Sequence, residues 1–217
     1  MALQKNDFIQ IEFTGKVKDT GEIFDSNIKE DIKKSGLKTQ SKYFVFCLSQ
    51  GMFLKGIEDF LIGKNIGNYE IELEPQKAFG IRDPKFVRMI PIKIFNEQKL
   101  NPIPGTVFNF DGRIAKVLTV SGGRVMVDFN HPLAGKKVIY NVNVLKKIED
   151  LNEKIKSLIL FLFRKEFKFE VKDKELIIQV EKHYLQFVEM FKDKFKEILD
   201  LDLKVKEIQE VIKASIE

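Results

Sequence analysis

Period-two alternation of apolar and polar residues, recurring at three separated places, constrains this fold more than any other feature. Ile9, Ile11 and Phe13 alternate with Gln10, Glu12 and Thr14, as in a half-buried strand. Tyr69, Ile71 and Leu73 alternate with Glu70, Glu72 and Glu74 until Pro75 ends the run. Comparable alternation returns only at Val138, Tyr140, Val142 and Val144, far downstream. If these strands share one sheet, the segment between them is an insertion. A long surface loop adds little closure entropy when its ends lie close together, so the parent sheet survives it.

The stretch FTGKVKDTGEIFDS, Phe13 to Ser26, joins the first strand through a turn at Asp19-Thr20-Gly21 to a return strand that places Asp25 directly after Phe24. Tyr43 to Leu48 is apolar on both faces, which predicts a central strand covered on two sides. Gln50 and Gly51 turn the chain into Met52-Phe53-Leu54-Lys55, and a short helix over Ile57–Ile62 stops at Gly63. So short a helix must lie against the sheet. Within the insert, Asp83 to Phe129, the runs Val117–Val120 and Arg124–Val127 flank Ser121-Gly122-Gly123, a hairpin signal. Met89, Ile90, Ile92, Phe95, Val107 and Phe108 are more apolar surface than so small a unit can cover, which predicts a patch open to unfolded chains.

After Asp150, Leu151, Ile155, Leu158, Ile159 and Leu162 make one helical stripe, and Leu160, Phe161 and Phe163 render its end apolar nearly all round. Two strands follow, at Phe167–Val171 and Leu176–Val180, then a second helix marked by Tyr184, Val188, Phe191, Phe195 and Ile198, and a last strand at Leu201–Val205. An over-apolar helix in a marginal unit predicts a homodimer through this C-terminal unit, whose removal should leave a soluble monomer.

No apolar run reaches membrane-helix length, and the first residues lack the pattern of a signal peptide, so the expected location is the cytosol, with no membrane partner. Cys47, His131 and His183 are scattered at no ligand spacing, so no metal and no other cofactor is expected. The net charge of +5 lies before residue 151, and no aromatic-basic motif turns it into a nucleic-acid surface.

Four stretches in order, FTGKVKDTGEIFDS, GMFLKGIEDFLIG, AFG and NHPLAGKKVIYNVNV, resemble an FKBP-type peptidyl-prolyl cis-trans isomerase. The resemblance covers residues 1–82 and 130–150. Residues 83–129 resemble the insert-in-flap chaperone domain of SlyD-type and archaeal members. With the unit at 151–217, matched by length and position only, the whole resembles a long-type archaeal FKBP. The resemblance implies an α+β fold, with an FKBP-like antiparallel sheet wrapped on a short helix, an inserted small all-β domain and a C-terminal α/β domain. It implies catalysis by Asp25, Phe24, Phe13, Leu54, Phe79 and Tyr140, and a proline pocket completed by Phe44, Phe53, Ile57, His131 and Leu133. Substrates would be unfolded or partly folded polypeptides with Xaa-Pro bonds. Phe79 stands where many members have a Tyr, and Ile57 where macrolide-binding members have a Trp. Asp25 also fits a turn cap and His131 an ordinary loop residue. A holdase with little or no isomerase activity and a ribosome or nucleic-acid adaptor are the competing function classes.

Overall fold

A computed structural model describes residues 2–110 and 112–208. Residues 209–217 of the C-terminal unit expected over 151–217 lie outside them. The first body begins with β1 (Phe8–Val17), β2 (Ile23–Ser26), α1 (Lys29–Ser35), β3 (Phe44–Cys47), α2 (Lys55–Leu61) and β4 (Gly67–Leu73). The insert holds β5 (Val87–Pro91), α3 (Ile92–Glu97), β6 (Val107–Phe110), β7 (Arg113–Ser121) and β8 (Arg124–Asp128). The chain then returns through β9 (Val138–Lys147). All pairings of the first sheet are antiparallel, in the order β2-β1-β9-β4, with β3 on the half of β1 that β2 leaves free. The three alternating runs are thus neighbours: Phe13 opposes Val142, which opposes Tyr69. Ile57 and Leu61 of α2 are fully buried in one core with Ile9, Ile11, Ile71, Tyr140 and Val142. The sheet therefore wraps the short helix.

Among the described residues β3 pairs only with β1, so it is an edge strand and not the central strand its sequence predicts. It is apolar on both sides for another reason. Phe44 and Phe46 stack on one face, and its free edge meets the C-terminal unit, where the Ser157 hydroxyl donates to the Val45 carbonyl at 2.6 Å.

The insert forms its own antiparallel sheet, β5-β8-β7-β6, around a second core of Phe95, Ala115, Val117, Val125 and Val127. Gly122 and Gly123 turn β7 into β8 with φ of 55° and 74°, positive values that glycine takes without strain. The all-β expectation needs correction: Pro91 ends β5 and α3 follows at once, carrying Phe95 over the open face of a sheet that otherwise has no second layer. Asn130 clasps the two ends of the insert. Its side chain accepts from the Asp83 N–H at 2.9 Å and donates to the Asp83 carbonyl at 3.0 Å.

The C-terminal unit comprises α4 (Leu151–Phe163), β10 (Lys168–Lys172), β11 (Glu175–Val180), α5 (Leu185–Glu189), α6 (Lys192–Leu199) and β12 (Asp202–Glu207). Asp150 caps α4 by accepting from the Glu153 N–H at 2.7 Å. β10 and β11 form a hairpin, and β12 lies parallel to β11 across the helical connection. That connection is two short helices instead of the single one expected, and Phe187 and Met190 near the break stay exposed. Ile155, Leu158, Ile159 and Phe163 join the core of the first body and the core of β11 and β12 into one cluster. Much of the apolar surface of α4 is thus covered by both bodies of its own chain, which accounts for Ile155, Leu158, Ile159 and Phe163 without a partner, while Leu160 stays half exposed. Among the described residues no helix is long and apolar enough to cross a membrane.

Candidate functional site

Register builds the site. Gly15 of β1 opposes Asp25 on one side and Tyr140 on the other. Having no side chain, it leaves room for two rings: a Cβ there would lie 2.8 Å from the Tyr140 ring and 3.0 Å from that of Phe24. A belt of aromatics runs from this point. Phe24 packs edge-on against Phe79 at 5.5 Å and Tyr140 at 5.6 Å; Tyr140 reaches Phe53 at 5.6 Å and Phe13 at 6.0 Å; Phe44 meets Phe53 at 5.3 Å. His131 stacks flat on Phe79 at 4.8 Å, while the Leu133 N–H donates to its Nδ1 at 3.2 Å.

A cavity of about 440 Å³ opens at one end of the belt, lined by Phe24, Asp25, Phe79, His131, Pro132 and Leu133, with Glu22 and Lys136 at its rim. Of the other residues expected at the pocket, Phe13, Ile57 and Tyr140 are buried in the core, Tyr140 in ring contact with Phe24. Phe53 and Leu54 are half-buried, and Leu54 precedes α2, its carbonyl accepting from the N–H groups of Ile57 and Glu58. Phe44 lines a different groove, toward the C-terminal unit.

Burial pushes the Asp25 carboxyl above its usual range, opposed only by a hydrogen bond from the Ser26 backbone. The Tyr140 phenol is raised as well, by burial first and then by the Asp25 charge, so it stays a neutral hydroxyl. Asp25 is thus a carboxylate that burial disfavours and that faces a cavity.

Four residues that sequence reasoning did not single out hold these groups. Glu58, only 2% exposed, accepts from the N–H groups of Phe53 at 2.7 Å and Gly51 at 3.2 Å, fixing the loop that presents Phe53. Ser26 donates to the Phe13 carbonyl, bonds the Thr14 hydroxyl and accepts from the Ile28 N–H, which anchors the residue next to Asp25. Asn27 accepts from the Phe13 N–H at 2.7 Å and donates to the Ile11 carbonyl. Gly15 is the fourth. The available signal was a polar residue on an apolar face, as Glu58 is between Ile57 and Leu61.

In the insert, Phe95 is fully buried, and Ile90, Ile92 and Phe108 pack against the same core. The expectation that Phe95 belongs to an open patch is corrected: it plugs the sheet. Met89 and Val107 are exposed, as are Ile114 and Met126. Val107 and Ile114 face a cleft of about 420 Å³ that shares Glu22, His131, Pro132 and Lys136 with the Asp25 cavity.

An antiparallel sheet wrapped on one short helix, with an aromatic belt ending at a half-buried carboxylate, defines the class of fold and site. The family comparisons make that class specific. Residues 1–96 match the model of the FKBP-type peptidyl-prolyl cis-trans isomerase, and residues 88–133 match that of the FKBP26, IF domain. A probable FKBP-type 16 kDa isomerase of Pseudomonas fluorescens is 31% identical over 114 residues, 46% of this chain and 69% of the relative. A short-type peptidyl-prolyl cis-trans isomerase of Methanocaldococcus jannaschii is 27% identical over 146 residues, 65% of this chain and 92% of the relative. The isomerase SlyD of Helicobacter pylori is 26% identical over 149 residues, 67% of this chain and 75% of the relative. The chain belongs to the FKBP-type peptidyl-prolyl cis-trans isomerase family.

Proposed function

We propose that this protein catalyses cis-trans isomerisation of Xaa-Pro bonds in unfolded or partly folded polypeptides, with the insert serving as an insert-in-flap chaperone module of a long-type archaeal FKBP. The observation that carries this reading is the aromatic belt ending at Asp25 in a cavity continuous with the cleft under the insert. Rotation about a prolyl amide faces a barrier of roughly 18–20 kcal/mol because resonance holds the amide planar. Neither a nucleophile nor a cofactor is required. The planar amide carries more charge separation than the twisted one, so a dry aromatic cage penalises the ground state more than the transition state. Phe24, Phe79 and the rings beneath them supply that cage. Asp25 faces the same space and orients the twisting peptide, while the Leu54 N–H serves as donor to the substrate carbonyl. Phe79 offers no hydroxyl to the substrate, a loss worth about 0.5–1.5 kcal/mol, which lowers the rate without abolishing it.

The domain reading follows: isomerase at 1–82 and 130–150, chaperone insert at 83–129, C-terminal unit at 151–217. A homodimer through the last unit is retained as a proposal on new ground, the exposed Phe187 and Met190. The exposed apolar residues facing the cleft favour a working chaperone surface; a holdase reading would keep that surface and dispense with the pocket. Asp25→Leu and Phe24→Ala each lower turnover of a short Xaa-Pro peptide several-fold or more with the fold retained by circular dichroism. Wild-type turnover by a folded Asp25→Leu variant refutes the site assignment.

A further inference from the structure

A second groove, about 540 Å³ and larger than the Asp25 cavity, separates the isomerase body from the C-terminal unit, and the proposed reaction makes no use of it. Tyr43, Phe44 and Val45 form one wall; Leu160 and Phe161 of α4 with Phe169 of β10 form the other.

Its first telling feature is continuity with the substrate site. Phe44 lines the groove and also packs edge-on against Phe13 and Phe53 of the belt. Three ring-to-ring steps of 5.6, 5.6 and 5.3 Å join Phe24 to Phe44 through Tyr140 and Phe53. An extended chain, rising about 3.3 Å per residue, crosses that span in about five residues.

The second feature is backbone. The Val45 carbonyl points away from β1, to Ser157. In an antiparallel strand the N–H and C=O of one residue point the same way. The Val45 N–H therefore points to the groove side of β3, where it can donate to a bound chain, while α4 with Ser157 occupies the rest of that edge. Charge supplies the third: the rim sets Glu153 and Glu166 against Lys156 and Arg164, a balance that selects neither a polyanion nor a polycation.

From these features we infer that the groove binds an extended apolar segment of the same substrate polypeptide, about five residues from the proline held at Phe24 and Asp25. The inference rests on the isomerase reading above. It makes the C-terminal unit half of a substrate subsite.

The test uses the intact chain and three peptides: a four-residue Xaa-Pro peptide, and two of about twelve residues with a Leu-Phe-Val segment about five residues before or after the proline. Leu160→Glu puts a charge at a position already 50% exposed, so the fold tolerates it. Tyr43→Lys alters the opposite wall, also at an exposed residue. One of the long peptides binds wild type more tightly than the other, by fluorescence anisotropy, and each variant weakens that binding at least about tenfold, as loss of an apolar anchor does. Turnover of the four-residue peptide stays within about twofold in both variants. Unchanged long-peptide binding in both folded variants overturns the inference, and so does an equal loss with short and long peptides. A change in sedimentation on Leu160→Glu assigns the groove to a second copy of the chain and also overturns it. If wild type fails to turn over the four-residue peptide yet binds the long one in a Leu160-dependent way, the groove stands and the isomerase reading falls.

Discussion

Gly15 illustrates how much a single missing side chain can do. It stands between Asp25 and Tyr140 in the register, and a Cβ would enter the space of two rings. Tyr140 is fully buried and has nowhere to move. Gly15→Ala is expected to cost about 1–3 kcal/mol, as overpacking does, and to lower peptide turnover several-fold by displacing Phe24; a thermal melt and an isomerisation assay on one sample check both. Asp25 carries a prediction of opposite sign. Burial raises its folded pKa, so the folded protein holds this proton more tightly than the unfolded chain. Stability from that proton is fully present below the unfolded value and is lost as pH rises through the raised one. Asp25→Asn therefore melts higher than wild type at pH 7, and the gap narrows as pH falls toward 4. An equal gap at both pH values shows that the charge is not its cause. Asp25 and Phe24 were legible in the sequence because they are adjacent. Gly15 and Glu58 were not, because their roles depend on strands and loops that only the register brings together.

Among the elements, the strands with clean alternation were readable, since one buried face writes its period into the sequence. β3 and α4 misled for a shared reason: each is apolar on two sides, and composition alone does not say whether the cover is a sheet neighbour, another domain or another molecule. Here β3 and α4 cover each other, with Ser157 sealing the strand edge. The insert misled in a smaller way, because Phe95 was counted as surface when a six-residue helix uses it to close the sheet. Replacing residues 83–129 by a short turn is expected to leave turnover of a four-residue peptide within about threefold while slowing proline-limited refolding of a whole protein roughly tenfold or more, the scale of a tethered second site. Running both assays on that variant decides it. An equal loss in each shows that the insert merely supports the pocket.

At the scale of the molecule the described residues form two cores, one confined to the insert and one running from the first sheet through α4 to β11 and β12. That continuity reverses the expectation that the chain after Asp150 can be removed to leave a soluble monomer. Cutting there divides a core that the two bodies share and removes the hydroxyl bonded to the Val45 carbonyl. The truncated protein is expected to aggregate at micromolar concentration where the full chain sediments as a single species. A soluble, monodisperse truncation would show that the shared core is dispensable. The seal at Ser157 thus has a bearing on self-protection. Any open sheet edge is a template for strand addition, and the edge of β3 lies next to the aromatic belt. With α4 laid along β3 and the Ser157 hydroxyl on the Val45 carbonyl, the C-terminal unit denies that edge to other copies of the chain and so guards against polymerisation.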